Sequence, residues 1–213
     1  MKILKIDPES PAPEIILEAV QILKKGGLVV FPTETVYGLA ANALDPKAIK
    51  KIFKVKGRPE NKPLIILIAK LEDLPLVAED IPKEAYTLAE KFWPGPLTLV
   101  LKTSDIIPEE ITAGGGTVAV RFSSHPVALA LTAELGSPIT ASSANPSSKP
   151  SHKTVDGILK DFKNSKEIEL ILDAGETPIG KPSTILDLTK HPPIILREGS
   201  ITKEQIAKVI KII

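Results

Sequence analysis

Short apolar runs, separated by glycine, proline and clusters of small polar residues, organise this chain. Residues 28–31 (LVVF) and 64–68 (LIILI) are unbroken apolar stretches of strand length, the pattern of strands covered on both faces. Ahead of the first, Ser10 followed by Pro11 predicts a helix start, and Ile15, Ile16, Ala19, Val20 and Leu23 recur at helical spacing until Gly26-Gly27. Between the two strands, Asp45-Pro46 predicts a capped second helix with Ile49, Ile52 and Phe53 on its inner face. After the 64–68 strand, helical turns are expected to Trp93, then strands over 97–101 and 117–122, the second following a turn that ends in Gly114-Gly115-Gly116. A helix over 126–135 leads into an apolar segment at 138–141, and a helix over 155–162 precedes a strand over 169–172. Late strands are read at 183–188 and 194–196, and Thr202 with Gln205 forms a capping box for a last helix. Strands and helices mixed in this irregular order predict an α/β fold, a single domain with a twisted, mostly mixed open sheet flanked by helices.

Composition narrows the chemistry. The 213 residues include no cysteine and three scattered histidines, which excludes thiol catalysis and disulfides and leaves no dedicated metal cage. No apolar run approaches the ~18 residues of a membrane helix, and no leader pattern opens the chain, so a cytoplasmic protein without a membrane partner is expected. A net charge of +1 gives no global pull on nucleic acid.

Four polar clusters stand at the ends of predicted strands or, for one, between a helix end and a strand. Pro32-Thr33-Glu34-Thr35-Val36-Tyr37-Gly38-Leu39 follows the first apolar strand, the place where open α/β sheets hold ligands; the alternative is a turn whose threonines bond the local backbone. Lys56, Arg58 and Lys62 make three cations in seven residues, stiffened by Gly57, Pro59 and Pro63. A guanidinium fork and mobile ammonium groups suit phosphate oxygens, although the last cations of a helix also complement its dipole. Residues 141–148 (ASSANPSS) offer small hydroxyl and amide groups after an apolar segment, as a ligand loop or as a solvent loop. Arg121 and Arg197 each close an apolar strand and would clamp an anion if those strand ends converge. Gly175 to Lys181 matches the glycine and lysine spacing of a P-loop, but Pro182 stands where Ser or Thr must hold magnesium and no helix follows, so a P-loop is rejected.

Taken in order, FPTETVYGL at 31–39, KGRPENKPL at 56–64, WPGPLTLVL at 93–101, VAVRFSSHP at 118–126, SSANPS at 142–147, STILDL at 183–188 and ILREGSI at 195–201 closely resemble the YrdC-like family, the threonylcarbamoyl-AMP synthases. The resemblance covers about residues 10–205, and it implies one YrdC-like domain over 1–213 without the extra C-terminal domain of longer members. Three positions depart from a common form of the pattern: Lys62 replaces an asparagine, Leu67 a histidine and Lys153 a threonine.

What the resemblance implies is a nucleotidyltransferase that joins L-threonine, bicarbonate and ATP into threonylcarbamoyl-AMP and pyrophosphate, for a downstream tRNA threonylcarbamoyl transferase. Lys56 and Arg58 are the implied catalytic pair. Lys56, Arg58, Lys62, Thr117, Asn145 and Arg197 would bind ATP, accompanied by Mg2+ that no dedicated protein site holds. Thr35, Arg121, Ser143 and Ser183 would bind threonine. An RNA contact, or a double-stranded RNA-binding module without turnover, is the alternative; near-zero net charge and 4% aromatic residues weigh against it. A carbamoyl-adenylate enzyme acting on another acceptor is a third reading.

Overall fold

The computed structural model describes residues 1–212. β1 (Lys2–Lys5) and α1 (Pro13–Lys24) lead to β2 (Leu28–Phe31) and β3 (Gly38–Ala40). α2 (Pro46–Lys56) precedes β4 (Ile65–Leu67), a 3-10 turn at Leu71–Asp73, the one-turn α3 (Leu74–Val77), β5 (Ala78–Glu79) and α4 (Lys83–Phe92). Next come β6 (Leu97–Thr103), the one-turn α5 (Glu109–Thr112), β7 (Thr117–Arg121), α6 (Pro126–Leu135), and the short strands β8 (Ile139–Thr140) and β9 (Ser142–Ser143). α7 (Val155–Phe162), β10 (Ile168–Asp173), β11 (Thr184–Asp187), β12 (Ile194–Arg197) and α8 (Lys203–Ala207) complete the order.

The α/β class with mixed pairing is as the sequence predicts, but the strands divide between two sheets. One runs β1-β10-β2-β3-β9; the other runs β12-β11-β6-β7-β4-β8, with β5 added on β6. The sheets meet where the Thr140 amide donates to Ala41 O at 2.9 Å and the Ala41 amide donates to Thr140 Oγ1 at 2.9 Å. Each sheet mixes parallel and antiparallel neighbours: β11 lies parallel to β6, and β7 antiparallel to it. No helix among the described residues is long and apolar enough to cross a membrane.

Most element ends follow from local chemistry. Asp45 caps α2 by accepting from the Lys47 amide, Pro46 sits in the first turn, and Gly57 ends the helix at φ 57°, a left-handed conformation that glycine adopts without a Cβ penalty. Thr202 and Gln205 form the capping box reciprocally. The first helix departs from expectation. Asp7 Oδ1 accepts from the amides of Glu9 and Ser10, which locks residues 7–10 in a turn, so α1 starts at Pro13 behind an extended Ala12 rather than at Ser10.

Candidate active site

Strand register places the site on one face of the larger sheet. Arg197 pairs with Ile185, Ile185 with Thr98, and Thr98 with Arg121, a single row crossing β12, β11, β6 and β7. The neighbouring row on that face is Val100, Ala119 and Ile65. Both arginines therefore project to the same side, their backbones about 14 Å apart across three strand spacings. Both arginines line one cavity. The same cavity is lined by the buried Thr33, Thr35, Val36 and Tyr37 of the loop after β2, by residues 141–143, Ser151 and the buried Ser183, and by the more exposed Arg58, Lys62 and Pro63. They enclose a cavity of about 330 Å³, within the range of small-molecule sites.

At the inner end, the loop after β2 is tied into a buried network. Thr33 Oγ1 donates to Val36 O at 2.7 Å and receives the amides of Thr35 and Val36. Arg121 is buried, and its guanidinium is largely committed. Nη1 donates to Thr35 Oγ1 at 3.1 Å, Nε donates to Gly95 O at 3.2 Å, and Nη2 lies 2.8 Å from Glu34 Oε1. Ser123 Oγ donates to the other Glu34 oxygen. Burial favours the neutral Glu34 acid, yet the Arg121 charge and the Ser123 hydroxyl outweigh it and hold the carboxyl below its usual range. Arg121 thus reaches the cavity wall with its charge already balanced. Glu34 and Ser123 both lie within the family motifs, but nothing in their local sequence announces that they meet across 89 residues.

Cations not balanced this way stand at the other margin. Arg58 turns back on its own loop, Nη2 to Pro63 O at 2.7 Å and Nε to Lys62 O at 3.3 Å, and burial lowers its pKa. Lys62 lies on the cavity wall, whereas Leu67 is buried away from it. Arg197 donates from Nε and Nη2 to Ser183 O, at 3.1 and 2.8 Å, and from Nη2 to Ser183 Oγ at 3.2 Å. Burial and the Arg121 charge both lower its pKa. Ser183 Oγ also shares a hydrogen bond with Thr98 Oγ1 at 2.8 Å.

Three expected site residues are not on the wall. Lys56 is 3% exposed, and its ammonium is turned inward to Ser143 O and to Asn145 O, the latter at 2.6 Å. It ties the end of α2 to the β9 loop, and the Ser147 amide returns a bond to Lys56 O at 2.9 Å. Burial first, then the Arg58 charge, push its pKa down to about 7. Asn145 is buried too, its amide nitrogen donating to Pro146 O and Lys149 O. Thr117 shares the strand face of Ala119 and Arg121 but sits at the far end of β7, beyond the cavity. Thr35, Arg121, Ser143, Ser183, Arg58, Lys62 and Arg197 are brought together.

The near P-loop segment runs from β10 to β11 and opens no helix, in agreement with its rejection. It is nevertheless more than a linker. The amides of Ile179 and Gly180 donate to Glu34 O and Thr35 O at 3.0 and 2.8 Å, and Thr177 Oγ1 donates to Thr35 O, so the segment straps the cavity loop from behind.

A family model for Sua5, YciO and YrdC proteins, described as "Telomere recombination", matches residues 21–199. The chain is 53% identical over 192 residues to a threonylcarbamoyl-AMP synthase of Pyrococcus abyssi, covering 90% of this chain and 56% of the relative. It is 46% identical over 196 residues to a threonylcarbamoyl-AMP synthase of Bacillus subtilis, covering 92% and 56%. The chain thus spans just over half the length of these relatives. Among solved structures, Pyrococcus abyssi Sua5 complexed with L-threonine superposes with a TM-score of 0.95 at 50% identity, over 99% of this chain and 61% of that one. With the motif order, the fold and these matches in agreement, the chain belongs to the Sua5/YciO/YrdC family.

Proposed function

We propose that this chain forms threonylcarbamoyl-AMP and pyrophosphate from L-threonine, bicarbonate and ATP. The observation that carries the reading is a single cavity with two chemically different ends: hydroxyls and a charge-balanced arginine inside, and Arg58, Lys62 and Arg197 at the margin. The inner end suits a small zwitterion bearing a hydroxyl, and the cationic margin a polyphosphate. The relatives' names and the threonine-bound structure of a family member support the same assignment.

In this reading bicarbonate takes up a proton and loses water to give carbon dioxide, the threonine amine adds to it with loss of a proton, and a carbamate oxygen attacks the α-phosphorus of ATP. The new bond is carbamate oxygen to phosphorus; the bond from the α-phosphorus to the bridging oxygen breaks, and pyrophosphate leaves. The protein's part is alignment and charge neutralisation, and no side chain need be covalently modified. Magnesium would arrive with ATP. The wall offers hydroxyls and cations, and the nearest carboxylate, Glu34, is spent on Arg121, so the phosphates would carry the metal. The product would serve a cytoplasmic transferase acting on tRNA.

The test is pyrophosphate and AMP production from ATP, with threonine and bicarbonate supplied together or singly. Release should require both. Robust ATP cleavage without threonine would replace the proposal with a plain ATPase, and tight RNA binding without turnover would favour a binding module.

A further inference from the structure

One wall of the cavity is fastened to a helix that does not line it. The chain between β9 and α7 supplies Ser151 to the cavity wall. The residues bracketing Pro150 and Ser151 both reach α7. The Lys149 ammonium meets Asp161 Oδ1, and His152 Nε2 lies 2.8 Å from Asp161 Oδ2. The Asp161 side chain is 8% exposed, and Lys149 first, then His152, hold its carboxyl below the usual range. An ionised carboxylate only accepts, so His152 donates from Nε2. A single carboxylate therefore grips the loop on both sides of Ser151.

The helix is shaped for this grip. Gly157 lies within the eight-residue α7, where glycine favours the helix less than alanine does. A Cβ at that position would lie 2.9 Å from His152 Cγ and closer still to Nδ1. Gly157 and Asp161 are four residues apart and share one helix face, so the first clears space for the imidazole that the second holds. The backbone of the gripped segment in turn seats its neighbours. His152 O accepts from the Tyr37 amide at 3.1 Å, Lys153 O from the Thr177 amide at 2.9 Å, and Lys149 O from Asn145 Nδ2 at 2.6 Å. Nearer its start, the Ser147 amide donates to Lys56 O at the end of α2.

We propose that Asp161 is a positioning residue for this cavity: with Gly157 making room, it clamps His152 and Lys149 and so fixes the loop that carries Ser151 before any ligand arrives. Asp161 does not line the cavity and acts only through the loop. A wall already ordered takes nothing from the free energy of binding. Released from α7, the loop must be ordered by the ligand, which weakens binding rather than the chemical step. The inference rests on the proposed reaction for the identity of that ligand, ATP, and not for the clamp itself.

Steady-state pyrophosphate release and thermal melts of four variants test it. Asp161→Ala, His152→Ala and Gly157→Ala should each raise the KM for ATP about five-fold or more, with kcat within two-fold and melting nearly unchanged. His152→Gln, which keeps an N–H donor within reach of Asp161, should stay within two-fold of the parent in KM. In the His152→Ala background, Gly157→Ala should add no further loss, because the ring it displaces is gone. An unchanged KM in Asp161→Ala overturns the proposal, as does an undiminished Gly157→Ala effect without the imidazole. So does a KM that rises only in step with a falling melting temperature, the mark of a merely structural role. If the parent releases no pyrophosphate, the proposed reaction falls, and hydrogen exchange on the ligand-free protein decides the clamp alone. The Tyr37 and Thr177 amides should then exchange at least ten-fold faster in Asp161→Ala and Gly157→Ala while the β2 amides keep their protection; equal rates in parent and variants refute it.

Discussion

Replacing Lys56 with methionine tests the least ordinary feature of this site, an ammonium buried against two carbonyls with no carboxylate beside it. In the unfolded chain this lysine titrates near 10.5, and in the fold near 7. The folded value is depressed, so the native state resists the proton that the unfolded state keeps. The destabilisation is complete below about pH 7, shrinks as pH rises, and is gone above about pH 10.5. Its full size is roughly 5 kcal/mol, taking about 1.4 kcal/mol for each pH unit between the two values. Lys56→Met removes this titration along with both hydrogen bonds; Ser143 O still accepts from the Asn145 amide, and the Asn145 carbonyl is left unmet at about 1–3 kcal/mol. The parent should therefore gain on the variant by roughly 3 kcal/mol between pH 7 and 9.5, and near pH 6 the variant should be the more stable of the two. Urea unfolding of both proteins at half-unit pH steps measures this. Parallel stability curves across that window would falsify the claim that Lys56 loses its proton in the fold.

The remaining predictions concern the cavity margin. Arg58→Lys keeps a charge but not the fork, so it should lose most of the activity lost by Arg58→Ala, about 2–3 kcal/mol of transition-state stabilisation; a fully active lysine variant in steady-state kinetics would mean that charge alone matters. Lys181→Ala should change ATP affinity by less than about three-fold, and a ten-fold loss, about 1.4 kcal/mol, would reinstate the P-loop reading. Gly199→Ala would put a Cβ 2.3–2.4 Å from Pro182 O and the Ser183 backbone, whose carbonyl anchors Arg197. That variant should lose ATP affinity more than it loses melting temperature, and unchanged ATP titration would show that Arg197 does not depend on this seat.

The elements read from local pattern are those whose causes are local. The apolar runs of β2 and β4, the proline and glycine limits of α2, and the capping box of α8 each rest on residues a few positions apart. β1 and β3 were not read as strands for the same reason. β1 is largely exposed, and its four residues are held by β10, far along the chain. β3 carries the end of a polar motif, and its extended form comes from antiparallel pairing with β2. The division of the strands between two sheets likewise depends on which partners each strand finds, which no run of side chains encodes.

Among the site residues, the sequence shows which are charged and not which charges survive folding as free ones. Arg121 and Arg197 look alike on paper, each an arginine ending an apolar strand. In the fold Arg121 is met by Glu34, and Arg197, among the described residues, only by the carbonyl and hydroxyl of Ser183. Lys56 and Lys62 belong to one cationic cluster in the sequence, yet the α2 helix turns Lys56 inward toward carbonyls 87 and 89 positions away while Lys62, past Gly57 and Pro59, stays on the wall. Lys56 locks the small-residue loop 143–147 against the helix whose end presents Arg58. It thereby ties Ser143 on the cavity wall to the loop proposed to meet the phosphates. That coupling predicts a specific hierarchy: variants of Lys56 should disturb both ligand ends together, and variants of Lys62 the phosphate end alone.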